Sequence, residues 1–286
     1  MPHELAHGVR TQTIFALTSP RSGTMSLAEL LKRNAPQYHV VHEIHVNRWN
    51  PGMQGPAIYD HTTGHLDAVR ALLRRKRRAI DWYRRPVYIE TSNAFLKSYW
   101  DLAPEFFPQT KVFHLIRHPL ECARSTANRE IWVSERGQYP YYRGRDGRQY
   151  RWWALTGLEP IFSSFDLSHI TLFQFWLIHW IEIENRAMEY LQRFDMHARC
   201  LTLHTPQDLN SPQSAAAIMD FIGVGQAGEV LLPGVQNRTP GSETLLGDDE
   251  LRQCRDVVAA LPVTYLEIFQ REPYAKQPWA PLLSKS

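Results

Sequence analysis

A three-layer α/β architecture, a central parallel sheet of about five strands with helices on both faces, is what this sequence predicts. Three observations lead there: short unbroken apolar runs bounded by turn residues, amphipathic helical patterns between them, and an alternating order of strand and helix along the 286 residues. Continuous rather than alternating apolar runs suit strands covered on both faces, which is the situation in a parallel sheet.

Taken in order, the strands are Thr13–Leu17, the shorter His39–Val41, Val87–Ile89, Val112–Ile116 and Cys200–Leu203. Leu27, Leu30 and Leu31 repeat at helical spacing after the first strand, and Phe173, Trp176, Leu177, Trp180, Ile181, Met188 and Leu191 do so before the last. Ser211 before Pro212 offers an N-cap with a first-turn proline, and Gly223 falls where a left-handed C-terminal cap belongs. A further helix covers roughly Asp249–Leu261. The expectation is one domain over 1–286, with an aromatic insertion at about 131–165 and an irregular surface tail at about 273–286.

Composition excludes several classes. With 43% hydrophobic and 21% charged residues the chain is globular, and no apolar run reaches the roughly 18 residues that span a bilayer, so no integral membrane segment is expected. A net charge of +3 is too small for a general nucleic-acid binder but suits one localised anion site. Cys122, Cys200 and Cys254 are odd in number and far apart, which argues against a disulfide framework or a cysteine zinc site. The first residues lack the apolar core of a secretory signal, so the expected location is cytoplasmic. His42 and His45 are the only close histidine pair near a plausible site, and without an HExxH pattern no metal is expected.

Two segments differ in composition from the rest. Arg70 to Arg85 holds eight Lys or Arg against one acidic residue, Asp81, while Val69, Leu72, Leu73 and Ile80 form the inner face of a helix. Its outer face is either simply solvated or a contact for an acidic partner. Ile131 to Phe165 is crowded with aromatic residues, Trp152 and Trp153 among them, interleaved with Arg136, Arg143, Arg145, Arg148 and Arg151. These rings either cover an acceptor or pack a local subdomain or homodimer interface.

The segment Thr18 to Ser26 lies between the first strand and the first helix. A tight turn there aims free backbone N–H groups and the positive helix end at whatever lies above the strand, and Gly23 permits close approach. Ser22, Thr24 and Ser26 add hydroxyls, and Arg21 adds a fixed charge suited to phosphate or sulfate. The nucleoside-triphosphate loop GxxxxGK[ST] is not met: Thr18 stands five residues before Gly23, and Thr24 replaces the lysine.

Pro20-Arg21-Ser22-Gly23-Thr24 instead resembles the 5′-phosphosulfate loop P-[KR]-S-G-T of sulfotransferases. A second stretch, Arg117-His118-Pro119 leading to Ser125, resembles the strand-end Arg and the helix Ser eight residues later that hold the 3′-phosphate in that family. The fork of Arg117 and the hydroxyl of Ser125 can clamp a terminal phosphate that ATP lacks. More loosely, Thr205 to Leu209 and the helix to Gly223 look like the family's carboxyl-terminal pattern. Met25 departs from it where a second Thr or Ser is common, so Ser26 or the backbone would take over that contact, and Arg238 is the substitute for a missing C-terminal phosphate-binding lysine.

The resemblance implies a sulfotransferase fold and transfer of a sulfuryl group from 3′-phosphoadenosine 5′-phosphosulfate to a hydroxyl, or an amine, of a small molecule or glycan. It implies no metal and adenosine 3′,5′-bisphosphate as product. Arg21 would stabilise the departing oxygen, and Glu90, in Glu90-Thr91-Ser92-Asn93-Ala94-Phe95, resembles the carboxylate base of glycan-modifying members, with His42 and Glu43 next in line. Two rival readings are a phosphotransferase, disfavoured by the absent lysine, and a non-catalytic binder of anionic ligands working through Arg70 to Arg85.

Overall fold

The computed structural model describes residues 11–43, 49–225, 230–233 and 246–285. In chain order the elements are β1 (Gln12–Thr18), α1 (Thr24–Asn34), β2 (His39–Val41), α2 (Pro56–Thr62), α3 (Leu66–Trp82), β3 (Val87–Glu90), α4 (Phe95–Ser98), α5 (Ala103–Phe106) and β4 (Lys111–Ile116). There follow α6 (Pro119–Ser134), the short strands β5 (Tyr141–Arg143) and β6 (Gln149–Arg151), α7 (Leu172–Arg193), β7 (Cys200–His204), α8 (Pro212–Ile222) and α9 (Asp248–Ala260).

Five strands form one parallel sheet in the order β2-β3-β1-β4-β7. All five expected strands are present, extended by at most a residue at either end. The three layers follow from the period of two along β1. Ile14 and Ala16 face α1 and α8, packed with Leu27, Leu30 and Leu31, while Phe15 and Leu17 face the other layer with Tyr88, Phe95 and the long α7. Leu27, Leu30 and Leu31 are fully buried, each contributing about 1.5–3 kcal/mol relative to exposure.

The caps agree with the sequence. Ser211 accepts from the Ser214 amide, and Gly223 ends α8 at φ 81°. Helix α7 starts with a capping box between Thr171 and Gln174, which satisfies otherwise orphaned first-turn donors. No helix among the described residues is long and apolar enough to cross a membrane.

Chain direction places the site. From β1 the chain passes to α1 on one face, whereas from β4 it passes to α6 and α7 on the other. Crossovers that diverge in this way leave a crevice at the carboxyl ends of β1 and β4, where ligands of open parallel sheets bind.

Two expectations need correcting. The segment after Pro273 is irregular but not peripheral: Tyr274 and Leu283 are fully buried and Trp279 nearly so, packed on α7 and α9. The Tyr274 hydroxyl donates to Glu184 Oε2 at 2.7 Å, anchoring the segment to the core. The aromatic insertion begins later than expected, because α6 continues to Ser134. Its rings are largely used in packing. Tyr142 and Tyr150 cluster with Tyr59 of α2 and with Trp152, and a Cβ on Gly55 would meet the Trp152 ring at 2.7 Å.

Candidate active site

The turn after β1 is built by its backbone. Arg21 has φ 65° and Gly23 φ 89°, so two left-handed residues fold the chain back over the strand end. For Arg21 this conformation costs about 1–3 kcal/mol, the kind of strain retained where a side chain must be aimed. Gly23 is also sterically required, since a Cβ there would lie 3.0 Å from Leu209 Cδ1. The Leu27 amide closes on the Gly23 carbonyl at 3.0 Å, so the amides of Thr24, Met25 and Ser26 precede the first intrahelical bond and face out of the helix end.

Side chains brace this turn from three directions. Ser22 Oγ shares a 2.8 Å hydrogen bond with Ser19 Oγ and lies 3.5 Å from Cys122 Sγ of α6. Thr205, just past β7, donates through Oγ1 to the Ser22 carbonyl at 3.0 Å. Ser22 is fully buried and Thr24 nearly so, whereas Met25 is 38% exposed. Met25 therefore offers its backbone rather than its side chain.

The two motifs meet. Arg21 Nε donates to Ser125 Oγ at 3.1 Å, and Arg117 Nη1 donates to the Arg21 carbonyl at 2.9 Å. Arg117 also bonds Glu121 Oε2 through Nε at 3.2 Å and Nη2 at 3.0 Å, which leaves one donor on each terminal nitrogen. Burial lowers the Arg21 pKa, and the positive charges of Arg117 and Arg129 lower it further. Converging guanidinium groups at a helix N-terminus are the electrostatic arrangement an anion relieves. Arg129 was missed in the sequence, although it follows Ser125 by one helical turn on α6 and so shares its face.

Glu90, the candidate base, is the last residue of β3. Its side chain is buried on the α3 side of the sheet, where Oε2 lies 2.6 Å from Lys76 Nζ and accepts from the Tyr88 hydroxyl at 2.7 Å. It closes β3, level with Val41 at the end of β2 and with Phe15 of β1, which runs on three residues further. Oε1 is buried without a hydrogen-bond partner among the described residues. Lys76 belongs to the basic stretch, yet its spacing from Val69, Leu73 and Ile80 puts it on the inner face of α3; that spacing was the available signal.

Beyond β2, His42 Nδ1 lies 3.1 Å from Thr91 Oγ1, and burial lowers its pKa, so its imidazole is neutral near pH 7. Glu43 follows it with a side chain 48% exposed, its Oε1 4.0 Å from His42 Nε2. At the carboxyl ends of β2 and β3, Glu43 is open to solvent and Glu90 is buried. Lys97 of α4 was not foreseen: it is fully buried, donates to the Trp153 carbonyl at 2.6 Å, and burial brings its pKa down to about 7. The fully buried His179 nearby has neither ring nitrogen hydrogen-bonded among the described residues, and burial together with Lys97 pushes its pKa well below the usual value. His114, inside β4, bonds Glu184 Oε2 at 2.8 Å as a core histidine. Arg238 and His45 lie outside the described residues. Among the described residues, no three His, Cys, Asp or Glu side chains are grouped to hold a metal ion.

No protein-family model and no curated protein matches the sequence. Three solved structures similar to this chain are sulfotransferases. A sulfotransferase domain from the curacin biosynthetic pathway is 14% identical, with a TM-score of 0.47 over 81% of this chain and 80% of its own. A sulfotransferase from Alicyclobacillus acidocaldarius is 13% identical, with a TM-score of 0.47 over 90% and 96%. The sulfotransferase domain of the Synechococcus PCC 7002 olefin synthase is 18% identical, with a TM-score of 0.47 over 98% and 96%.

Proposed function

We propose that this protein is an enzyme that transfers a sulfuryl group from 3′-phosphoadenosine 5′-phosphosulfate to a hydroxyl of a small-molecule or glycan acceptor. The observation that carries the reading is the linkage of Arg21, Arg117 and Ser125 into one hydrogen-bonded cluster at the crevice between β1 and β4. A donor with phosphates at both ends of its ribose needs two anion sites held at a fixed separation. The start of α1 with Arg21 supplies one, and Arg117 with Ser125 supplies the other.

The chemistry asks three things of the chain: in-line placement, charge for the departing oxygen, and a proton acceptor. The amides of Thr24, Met25 and Ser26 and the guanidinium of Arg21 stabilise the negative charge that grows on the bridging oxygen as the S–O bond breaks. The acceptor enters from the β2–β3 side, over His42 and Thr91. There the Glu43 carboxylate takes the hydroxyl proton as the new S–O bond forms, and neutral His42 binds the acceptor beside it. Glu90 supports this wall through its ion pair with Lys76 instead of meeting the acceptor. The sulfuryl group leaves the phosphosulfate and ends on the acceptor oxygen; the proton ends on Glu43.

The test is transfer of radiolabelled sulfate from the donor to a panel of alcohols, phenols, sugars and amines. Label on an acceptor, dependent on Arg21, supports the reading. Absence of transfer together with absence of stabilisation by adenosine 3′,5′-bisphosphate overturns it.

A further inference from the structure

The basic stretch takes no part in the donor cluster. On α3 the inner positions Val69, Leu73, Lys76 and Ile80 are buried, and Arg70 and Arg77 are paired with Glu105 and Asp81. The outward positions Arg74, Arg78 and Trp82 follow one another at four-residue intervals along a single stripe, and Arg84 and Arg85 past the helix end are exposed as well. The side chains of Arg74, Arg78, Arg84 and Arg85 form no ion pair or hydrogen bond among the described residues. The protein carries a net charge of only +3, so this concentration of unneutralised cations is a local feature.

A large aromatic side chain accompanies it: Trp82, on the stripe itself, is 76% exposed. Exposing an indole costs hydrophobic free energy that burial would recover, and a bilayer interface accepts an indole at headgroup depth while arginines bind lipid phosphates. Helix α3 runs antiparallel to the strands and delivers the chain to the amino end of β3, so Trp82 lies at the pole opposite the Arg21 turn.

We propose that the outward stripe of α3 with Trp82 docks the protein on an anionic lipid bilayer surface. A single outward helix face presents a line of charge to a plane, whereas a single-stranded nucleic acid is held in a groove that follows its backbone. Attachment is electrostatic with interfacial indole contact, and no segment inserts across the bilayer. The donor crevice stays turned away from the lipid, so docking and catalysis are independent, and this inference does not rest on the proposed activity.

The experiment is sedimentation of the full chain with vesicles of phosphatidylcholine alone or with phosphatidylserine added, across a salt series. Binding is expected to the anionic vesicles only and to fade as salt rises from about 50 to 300 mM, as the Debye length shrinks. Each arginine near the surface is worth roughly fivefold in partitioning, so the double variant Arg74→Ala/Arg78→Ala should bind about 25-fold more weakly. Trp82→Ala should bind several-fold more weakly at unchanged salt dependence. Arg271→Ala, an exposed arginine on the C-terminal segment, should bind as the wild type does. Equal binding to neutral and anionic vesicles, no binding to either, or loss with Arg271→Ala as large as with the α3 double variant would overturn the proposal. So would tight binding to a single-stranded oligonucleotide that vesicles cannot displace.

Discussion

Arg117 donates from Nη1 to the backbone carbonyl of Arg21 at 2.9 Å, so two motifs 96 residues apart in the chain share one hydrogen bond. Moving either one shifts the other. A change at Arg117 should therefore be felt at the Arg21 turn as well as at the anion contact proposed for Arg117 itself.

Thermal denaturation makes this measurable. Adenosine 3′,5′-bisphosphate should raise the melting temperature and ATP should raise it far less, since a ligand that binds only the native state stabilises it by mass action. Arg117→Ala should remove most of that selectivity, a charge-assisted hydrogen bond being worth about 1.5–3 kcal/mol. Equal shifts with the two nucleotides in the wild type would sink the donor assignment.

Glu43 and Glu90 separate by kinetics. Glu43→Gln should keep its melting temperature and its bisphosphate binding yet lose about 10²-fold or more in turnover, the scale of a general base. A Glu43→Gln enzyme that retains near-full turnover while Glu90→Gln loses it would return the base to Glu90.

Glu90→Gln and Lys76→Met should instead be felt in stability. Removing one partner of a buried ion pair leaves the other uncompensated and costs about 3–5 kcal/mol. The double variant Lys76→Met/Glu90→Leu should recover much of the loss, because it leaves no buried charge. Urea denaturation of the three variants decides the point; additive losses in the double variant would show that the pair is not coupled.

Lys97 should make stability depend on pH. Burial holds its folded-state pKa near about 7, below the ordinary 10.5. Below pH 7 both folded and unfolded states carry the charge, and the full burial penalty applies. Between pH 7 and 10.5 the unfolded chain binds more protons, so stability rises with pH. Relative to Lys97→Met, the wild type should gain roughly 2–3 kcal/mol between about pH 7 and 9.5, since one proton of difference is worth about 1.4 kcal/mol for each step of one in pH. A constant difference between the two proteins over that range would refute it.

The C-terminal segment should be indispensable to the fold. Tyr274→Phe removes a hydrogen bond to the buried Glu184 carboxylate, worth about 1.5–3 kcal/mol. Limited proteolysis should leave the segment intact in the wild type and release it sooner in the variant.

The sequence by itself determined whatever depends on near neighbours in the chain. Apolar runs placed the five strands, since a strand buried on both faces has nothing polar to alternate with. Ser211 and Gly223 marked the ends of α8, and Pro20 to Ser26 marked the tight turn that opens α1, because caps and tight turns are set by a few consecutive residues. Only the tertiary structure decided what depends on which faces meet. It turned Lys76 inward to Glu90, brought Arg129 beside Arg21, buried Lys97 under Trp153, and folded Tyr274 and Trp279 onto α7. In each case a charged or aromatic residue that reads as surface in one dimension was placed by groups outside its own element. The cost of leaving a buried charge or polar group unpaired, not local propensity, selects those arrangements.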